Sequence, residues 1–145
     1  MTHVVRSALL PYSAGRMFAL VDDVERYPEF IPWCASAEVL SRDESVLVAA
    51  LTIERAGFRQ RLVTRNTRRM PERIALELVD GPFRRFAGGW TFTHLATDGC
   101  KVELDLDFEF VRGLPQRMFA AFFTKAAGTL VDAFCSRARA LGRTS

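Results

Sequence analysis

Close to the C-terminal end, a segment of alternating apolar and charged residues leads into a long segment with helical periodicity. The even positions from Cys100 to Phe110 are apolar, and the odd positions between them are charged. Because successive side chains of a strand point to opposite faces, this alternation predicts a strand with one buried and one solvated face. From Pro115 to Leu141, apolar residues recur in a doubled i, i+3, i+4 stripe, which predicts a helix with an unusually wide apolar face. Together the two elements indicate a fold that encloses a cavity.

The rest of the chain is predicted to consist of strands and two short helical segments. Six further strands are predicted at residues 2–10, 37–41, 46–54, 58–68, 73–79 and 85–95. Ser13 fits as the N-cap of a helix through about Val21, and Pro28 and Pro32 leave room between them for a single helical turn. The joints are short, so successive strands most simply pair antiparallel. This order predicts one α+β domain over residues 1–145, with a curved seven-stranded antiparallel sheet wrapping the last helix.

Composition is that of a globular protein with reduced thiols. Hydrophobic residues make up 49 % and charged residues 26 % of the 145, enough for a core without disulfide or metal support. No apolar run approaches the roughly 20 residues of a membrane span, and the N-terminus lacks the apolar region of a secretory signal. The three cysteines form no close pair, which indicates a cytoplasmic protein.

Recognisable catalytic or metal-binding motifs are absent from the sequence. The two histidines, His3 and His94, are far apart, and none of the common zinc, nucleotide or hydrolase motifs occurs. His94 and Cys100 flank a predicted turn, but a core cysteine beside an incidental histidine is the favoured interpretation. The acids of strand 100–110 share its polar face and are expected to be solvated. We therefore predict no catalytic residue, no metal site and no enzyme.

Inward-facing positions of two strands combine aromatic rings with a few polar groups. On strand 85–95 the even positions alternate large rings with a gap at Gly88, and the Gly88-Gly89 pair predicts a bulge, a bend or a close approach. The same parity of strand 58–68 contains Gln60, Thr64 and Asn66. Such a mixture is typical of a ligand pocket, although simple core packing explains it equally well.

The segment from Tyr27 to Trp33 is too rich in rings to be fully solvated. It either caps the core or forms a mouth through which an apolar ligand enters. Capping is favoured for Phe30, and a mouth or lid is favoured for Trp33.

Positive charge is concentrated on one part of the chain. The formal net charge is +3, but seven arginines and a single acid lie between Arg55 and Arg73. Arg59, Arg61 and Arg65 share one face of strand 58–68, and we call them the basic stripe. The stripe is compatible with a phosphate-rich partner such as RNA or an anionic membrane surface, whereas a solvated outer face is the simpler explanation.

Two motifs resemble a known family. The run DVERYPEFIPWC at 23–34 and the block VDGPF at 79–83, followed by GWTF at 89–92, are similar to signatures of the bacterial RatA-type ribosome-association toxins and the mitochondrial coenzyme Q-binding proteins. Both belong to the START-like (SRPBCC, polyketide cyclase/lipid transport) superfamily. The resemblance implies a helix-grip fold with an apolar tunnel for a polyprenylated quinone that supports respiration. For the bacterial branch it implies binding of the large ribosomal subunit, which blocks subunit association and inhibits translation.

Two functional hypotheses follow, and the first is a non-enzymatic lipid-binding module. Ubiquinone or a related lipid, with no other cofactor required, would lie between the helix and the sheet, and Tyr27 or Trp33 would meet its head at the mouth. The predicted ligand-binding residues are Tyr27, Phe30, Trp33, Phe86, Trp90, Phe108, Phe110, Phe119, Phe122, Phe123 and Leu130. The second hypothesis is a ribosome-binding regulator that uses the basic stripe. Either protein would be cytoplasmic, the first with transient contact with the inner membrane face, and neither would bind DNA.

Overall fold

Seven antiparallel strands and a long C-terminal helix dominate the computed structural model, which describes residues 2–55, 57–95, 99–111 and 117–142. The elements in chain order are β1 (Thr2–Leu10), α1 (Ala14–Asp22), a 3-10 helix (Val24–Glu29), β2 (Cys34–Arg42), β3 (Val46–Arg55), β4 (Phe58–Arg69), β5 (Arg73–Asp80), β6 (Phe83–Leu95), β7 (Gly99–Phe110) and α2 (Arg117–Gly142). The strand order across the sheet is β1-β7-β6-β5-β4-β3-β2, and every neighbouring pair is antiparallel. The predicted α+β helix-grip fold is confirmed.

Local sequence explains most element boundaries. The hydroxyl of Ser13 accepts a hydrogen bond from the backbone N–H of Arg16, so Ser13 caps α1 as predicted. The 3-10 helix that follows runs from Val24 to Glu29 and contains Pro28, so it begins before the interval between Pro28 and Pro32 in which a single helical turn was predicted. β2 begins at Cys34, three residues before its predicted start, because register shifts interrupt its pairing with β3 and hide the alternation on which the prediction relied.

β7 and α2 form the centre of the core. Burial alternates along β7, with buried even positions from Cys100 to Phe108 and partly exposed odd positions between them. The buried residues of α2 follow helical spacing, namely Phe123, Ala126, Ala127, Val131, Phe134, Cys135 and Ala138. All of them except Ala126 belong to the same hydrophobic cluster as the inner face of β7. Each fully buried large side chain contributes roughly 1.5–3 kcal/mol, so this contact is a main source of stability.

Gly88 allows β6 to approach β7 closely. Its φ angle is 145°, and a Cβ atom built at this position would lie 2.0 Å from the carbonyl oxygen of Asp105. A side chain is therefore excluded by the neighbouring backbone. The sequence prediction left open a bulge, a bend or a close approach, and the structure shows a close approach.

Candidate functional site

A cavity of about 80 Å³ lies between the concave face of the sheet, α2 and the segment that contains the 3-10 helix. Its lining residues are Val24, Tyr27, Ile31, Trp33, Cys34, Ala49, Leu51, Ile53, Leu62, Thr64, Asn66, Leu76, Phe86, Trp90, Leu104, Leu106, Phe123, Leu130 and Phe134. Apart from Thr64 and Asn66, the lining side chains are aliphatic or aromatic or carry a thiol. The site is therefore suited to an apolar guest with few polar atoms.

Six of the predicted ligand-binding residues line this cavity. They are Tyr27, Trp33, Phe86, Trp90, Phe123 and Leu130. They come from the segment before β2, from β6 and from α2, so the fold brings together residues that are distant in sequence. Their role in binding a ligand stays a prediction.

Four other predicted residues lie outside the cavity lining. Phe108 is fully buried behind the wall, where its ring contacts Phe83 and Phe123. Phe110 stacks on Phe83, with ring centroids 5.1 Å apart. Phe30 caps the core, because its ring packs against Phe134 at 5.2 Å between centroids.

The fourth of these residues, Phe122, stands next to the cavity rather than in its wall. The half-buried rings of Phe122 and Trp33 meet edge to face at 6.1 Å, and the guanidinium of Arg55 lies 5.5 Å from the Phe122 ring centroid. Trp33 both lines the cavity and reaches solvent, so we call Trp33 and Phe122 the mouth. The side chain of Phe119 lies outside the described part of the chain.

The hydroxyl of Tyr27 is already hydrogen-bonded within the protein. It donates a hydrogen bond to the carbonyl oxygen of Val21. Burial raises the pKa of this hydroxyl far above its usual range, and the nearby Asp22 carboxylate adds to the effect. Tyr27 can therefore make apolar contacts with a ligand through its ring, but its hydroxyl is not available to donate a hydrogen bond.

Thr64 and Asn66, which we call the polar pair, are buried in the cavity wall. They are 9 % and 8 % exposed, and the Thr64 hydroxyl donates a 2.7 Å hydrogen bond to Oδ1 of Asn66. Period two along β4 already placed both on the inner face, but they were left out of the predicted ligand residues. The pair is polar in a wall that is otherwise apolar, and ligand pockets use a few such polar groups to fix the orientation of a ligand.

The basic stripe is exposed but partly neutralised. Arg59 pairs with Glu54 at 3.2 Å and Arg61 pairs with Glu38 at 3.4 Å. Arg65 is exposed and has no ion pair among the residues that the structure describes. The stripe therefore presents less unopposed positive charge than the sequence indicates.

Two other groups of titratable side chains are brought together in the described part of the chain. Cys100 is cross-strand partner to His94, but its thiol is fully buried while His94 is exposed, and burial raises the pKa of Cys100. On the outer face, ligand atoms of His3, Asp105 and Asp107 lie within 4.8 Å of one another. The hydrogen bond with Asp105, at 2.8 Å, raises the pKa of His3 above its usual value. We interpret this exposed group as an ion pair between β1 and β7.

A curved antiparallel sheet that grips a C-terminal helix over an apolar cavity defines the class of helix-grip, START-like proteins. Residues 10–135 match the family model described as polyketide cyclase / dehydrase and lipid transport, and the chain belongs to this family. The resemblance identified from the two sequence motifs is therefore confirmed. In the described parts of the chain, no helix is both long enough and apolar enough to cross a membrane.

Three similar proteins illustrate the range of this family and fold. The ribosome association toxin RatA of Pseudomonas aeruginosa is 46 % identical over 140 residues, which is 97 % of each chain. The mitochondrial coenzyme Q-binding protein coq10 of Schizosaccharomyces pombe is 25 % identical over 138 residues, covering 92 % of this chain and 84 % of the yeast protein. The crystal structure of an aromatase/cyclase from Streptomyces sp. R1128 has a TM-score of 0.82 at 18 % identity, covering 95 % and 93 % of the two chains. The last likeness concerns the fold alone.

Proposed function

We propose that the chain binds ubiquinone or a related polyprenyl lipid in the cavity, without chemical conversion, and in this way supports respiration. The observation that carries the proposal is the apolar cavity with one buried polar pair in its wall. The likeness to a protein named for coenzyme Q binding supports the choice of ligand. Each buried methylene contributes about 0.8 kcal/mol, so even one isoprene unit is a useful anchor.

The size of the cavity indicates that ligand access requires movement. At about 80 Å³ it is smaller than the roughly 150 Å³ engineered cavity that accepts a benzene ring. A quinone ring therefore displaces side chains as it enters, and the half-buried rings of the mouth are the ones with room to move. A long tail would extend through the mouth rather than fold inside.

Chemistry in the cavity favours binding over catalysis. Tyr27 and Cys34 are the titratable side chains in the described lining. Burial raises the pKa of the Cys34 thiol to about 11, and Tyr27 is likewise held neutral. Neither group is a base or a nucleophile near neutral pH.

Tryptophan emission provides the test, because both tryptophans of the chain, Trp33 and Trp90, line the cavity. A quinone ring accepts an electron from excited indole, so titration with a short-chain ubiquinone should quench emission saturably at one ligand per chain. In the Trp33→Phe variant the remaining Trp90 emission should still be quenched. Quenching that never saturates, and that equals the quenching of the denatured chain, would count against binding in the cavity.

A second candidate function is association with the large ribosomal subunit, which the 46 % identity to a ribosome association toxin favours. If the basic stripe mediates this contact, changing Arg59, Arg61 and Arg65 together to Glu should reduce co-sedimentation with the large subunit at least tenfold at low salt. Phosphate contacts lose affinity steeply with salt, so wild-type co-sedimentation should also fall as salt rises.

The matched control reverses the charge of three exposed arginines elsewhere, Arg84, Arg85 and Arg139, and should retain co-sedimentation. Equal co-sedimentation of the wild type and the stripe variant would show that the basic stripe does not take part in the contact. If the wild type does not co-sediment with the large subunit at any salt concentration, the second candidate function is wrong.

A further inference from the structure

Thr64 and Asn66 are the buried polar residues among those that the structure describes, and both face the cavity. They are two positions apart on β4, so their side chains share the inner face. The neighbouring inner-face positions are apolar, since Thr64 lies opposite Ala49 and Asn66 opposite Leu47 on β3. Two adjacent polar groups in an apolar wall are not needed for packing.

The hydrogen bonding of the pair leaves a donor available. The Thr64 hydroxyl donates its hydrogen bond to Oδ1 of Asn66, and this bond fixes the orientation of the Asn66 amide. The Asn66 Nδ2 amino group, with two protons, makes no hydrogen bond among the described residues, and it is not one of their fully buried unpartnered nitrogens. The other hydroxyl of the lining belongs to Tyr27 and is bonded to Val21. Deep in the wall, Asn66 is thus equipped to donate to a guest.

Asn66 lies at the opposite end of the strand ladder from the mouth. It pairs with Leu47 at the start of β3, whereas the carbonyl oxygen of Trp33 accepts a hydrogen bond from Glu54 near the end of β3. Leu47 and Glu54 are separated by roughly 20 Å of strand, given about 3.3 Å per residue. A ligand that enters through the mouth therefore reaches Asn66 with the end that enters first.

We propose that Asn66, oriented by Thr64, is the polar anchor of the cavity and donates a hydrogen bond to a carbonyl oxygen of the ligand. This inference rests on the proposed function and adds the orientation of the ligand. The carbonyl-bearing ring occupies the inner end, and the apolar tail leads out past Trp33 and Phe122. This orientation is the reverse of the one expected from the sequence, in which the quinone head meets Tyr27 or Trp33 at the mouth. It also assigns specificity, because an apolar chain without an acceptor oxygen leaves the Asn66 amide unpaired.

The test uses the full-length protein and two probes of matched tail length, a short-chain ubiquinone and an oxygen-free polyprenyl hydrocarbon. Each variant is incubated with an equimolar mixture of both, separated from free lipid, extracted and analysed by mass spectrometry. Asn66→Leu should lower the bound ratio of quinone to hydrocarbon about tenfold while total lipid loading is retained. Thr64→Val, which frees the amide to rotate, should lower the ratio by a smaller factor.

Thermal unfolding separates the anchor from a structural role. Replacing Asn66 alone leaves the buried Thr64 hydroxyl without its acceptor, so the stability test uses the double variant Thr64→Val with Asn66→Leu. Both replacements are similar in shape to the native side chains and together they remove both buried polar groups. The unfolding midpoint of the double variant should therefore equal or exceed that of the wild type. In wild-type complexes the infrared carbonyl stretch of the bound quinone should lie at lower frequency than in Asn66→Leu complexes.

An unchanged quinone-to-hydrocarbon ratio in Asn66→Leu would overturn the anchor and leave lipid binding intact. A large drop in the unfolding midpoint of the double variant would show a structural role instead. Failure of the wild type to load either probe would overturn both the anchor and the proposed function.

Discussion

Replacing Ala49 with leucine should abolish binding of a short-chain ubiquinone while the protein remains as stable as the wild type. Ala49 is 2 % exposed, lines the cavity and lies opposite Thr64. The three added carbon atoms of leucine would occupy most of a space of about 80 Å³. Because the cavity accommodates them, we expect the free energy of unfolding to change by less than about 1 kcal/mol.

The tryptophan emission titration measures this effect, with chemical denaturation as the check on folding. Ala121→Leu is the matched control, since Ala121 is exposed on α2 and the same atoms are added outside the cavity. The control should bind the quinone like the wild type. Undiminished quenching in a stably folded Ala49→Leu variant would show that the ligand binds elsewhere.

Replacing Arg68 with methionine should lower the free energy of unfolding by about 3 kcal/mol. Nε of Arg68 lies 2.9 Å from Oδ1 of Asp22, and the two side chains are only 11 % and 14 % exposed. The guanidinium also donates to the carbonyl oxygen of Asp43, so it joins β4 to the end of α1 and to the turn before β3. Removing one partner of such a pair leaves a buried charge uncompensated, which costs about 3–5 kcal/mol.

Urea denaturation at constant pH checks this prediction against two comparison variants. Arg69→Met removes the neighbouring arginine, which is 83 % exposed and 3.9 Å from Glu72, and should change the stability by less than about 0.5 kcal/mol. The double variant Asp22→Leu with Arg68→Met should recover most of the loss, because no unpaired carboxylate remains. Equal stability of Arg68→Met and Arg69→Met would refute the importance of the buried pair.

The sequence predicts the sheet and the gripping helix well because their patterns are local. Alternation in β7 and the apolar stripe of α2 depend only on which residues must avoid water. β2 was predicted too short, since its register shifts depend on the partner strand. The Asp22–Arg68 pair has no local signal, because its members meet only when α1 and β4 pack together.

The cavity is harder to predict from the sequence. The alternation along a strand shows on which face of the sheet a residue lies, but not which side chains pack against it there. Leu104, Leu106 and Phe108 alternate identically on β7, yet only the first two line the cavity. The difference arises from Phe83 and Phe123, whose rings cover Phe108. The polar pair was visible as two polar residues on an apolar face, which is the signal that sequence reasoning could have used.

The neutralisation of the basic stripe was also within reach of the sequence. The hairpin between β3 and β4 aligns Glu54 with Arg59, and a charge count along one strand misses such cross-strand partners. Charge is therefore better assessed after strands are paired.

The contents of the cavity in protein isolated from its own cells test the central claim most directly. Solvent extraction and mass spectrometry of the native protein should find a quinone or another polyprenyl lipid at close to one molecule per chain. The Ala49→Leu variant, isolated in parallel, should contain none. A wild-type protein that yields no lipid above the level of the Ala49→Leu variant would contradict the account.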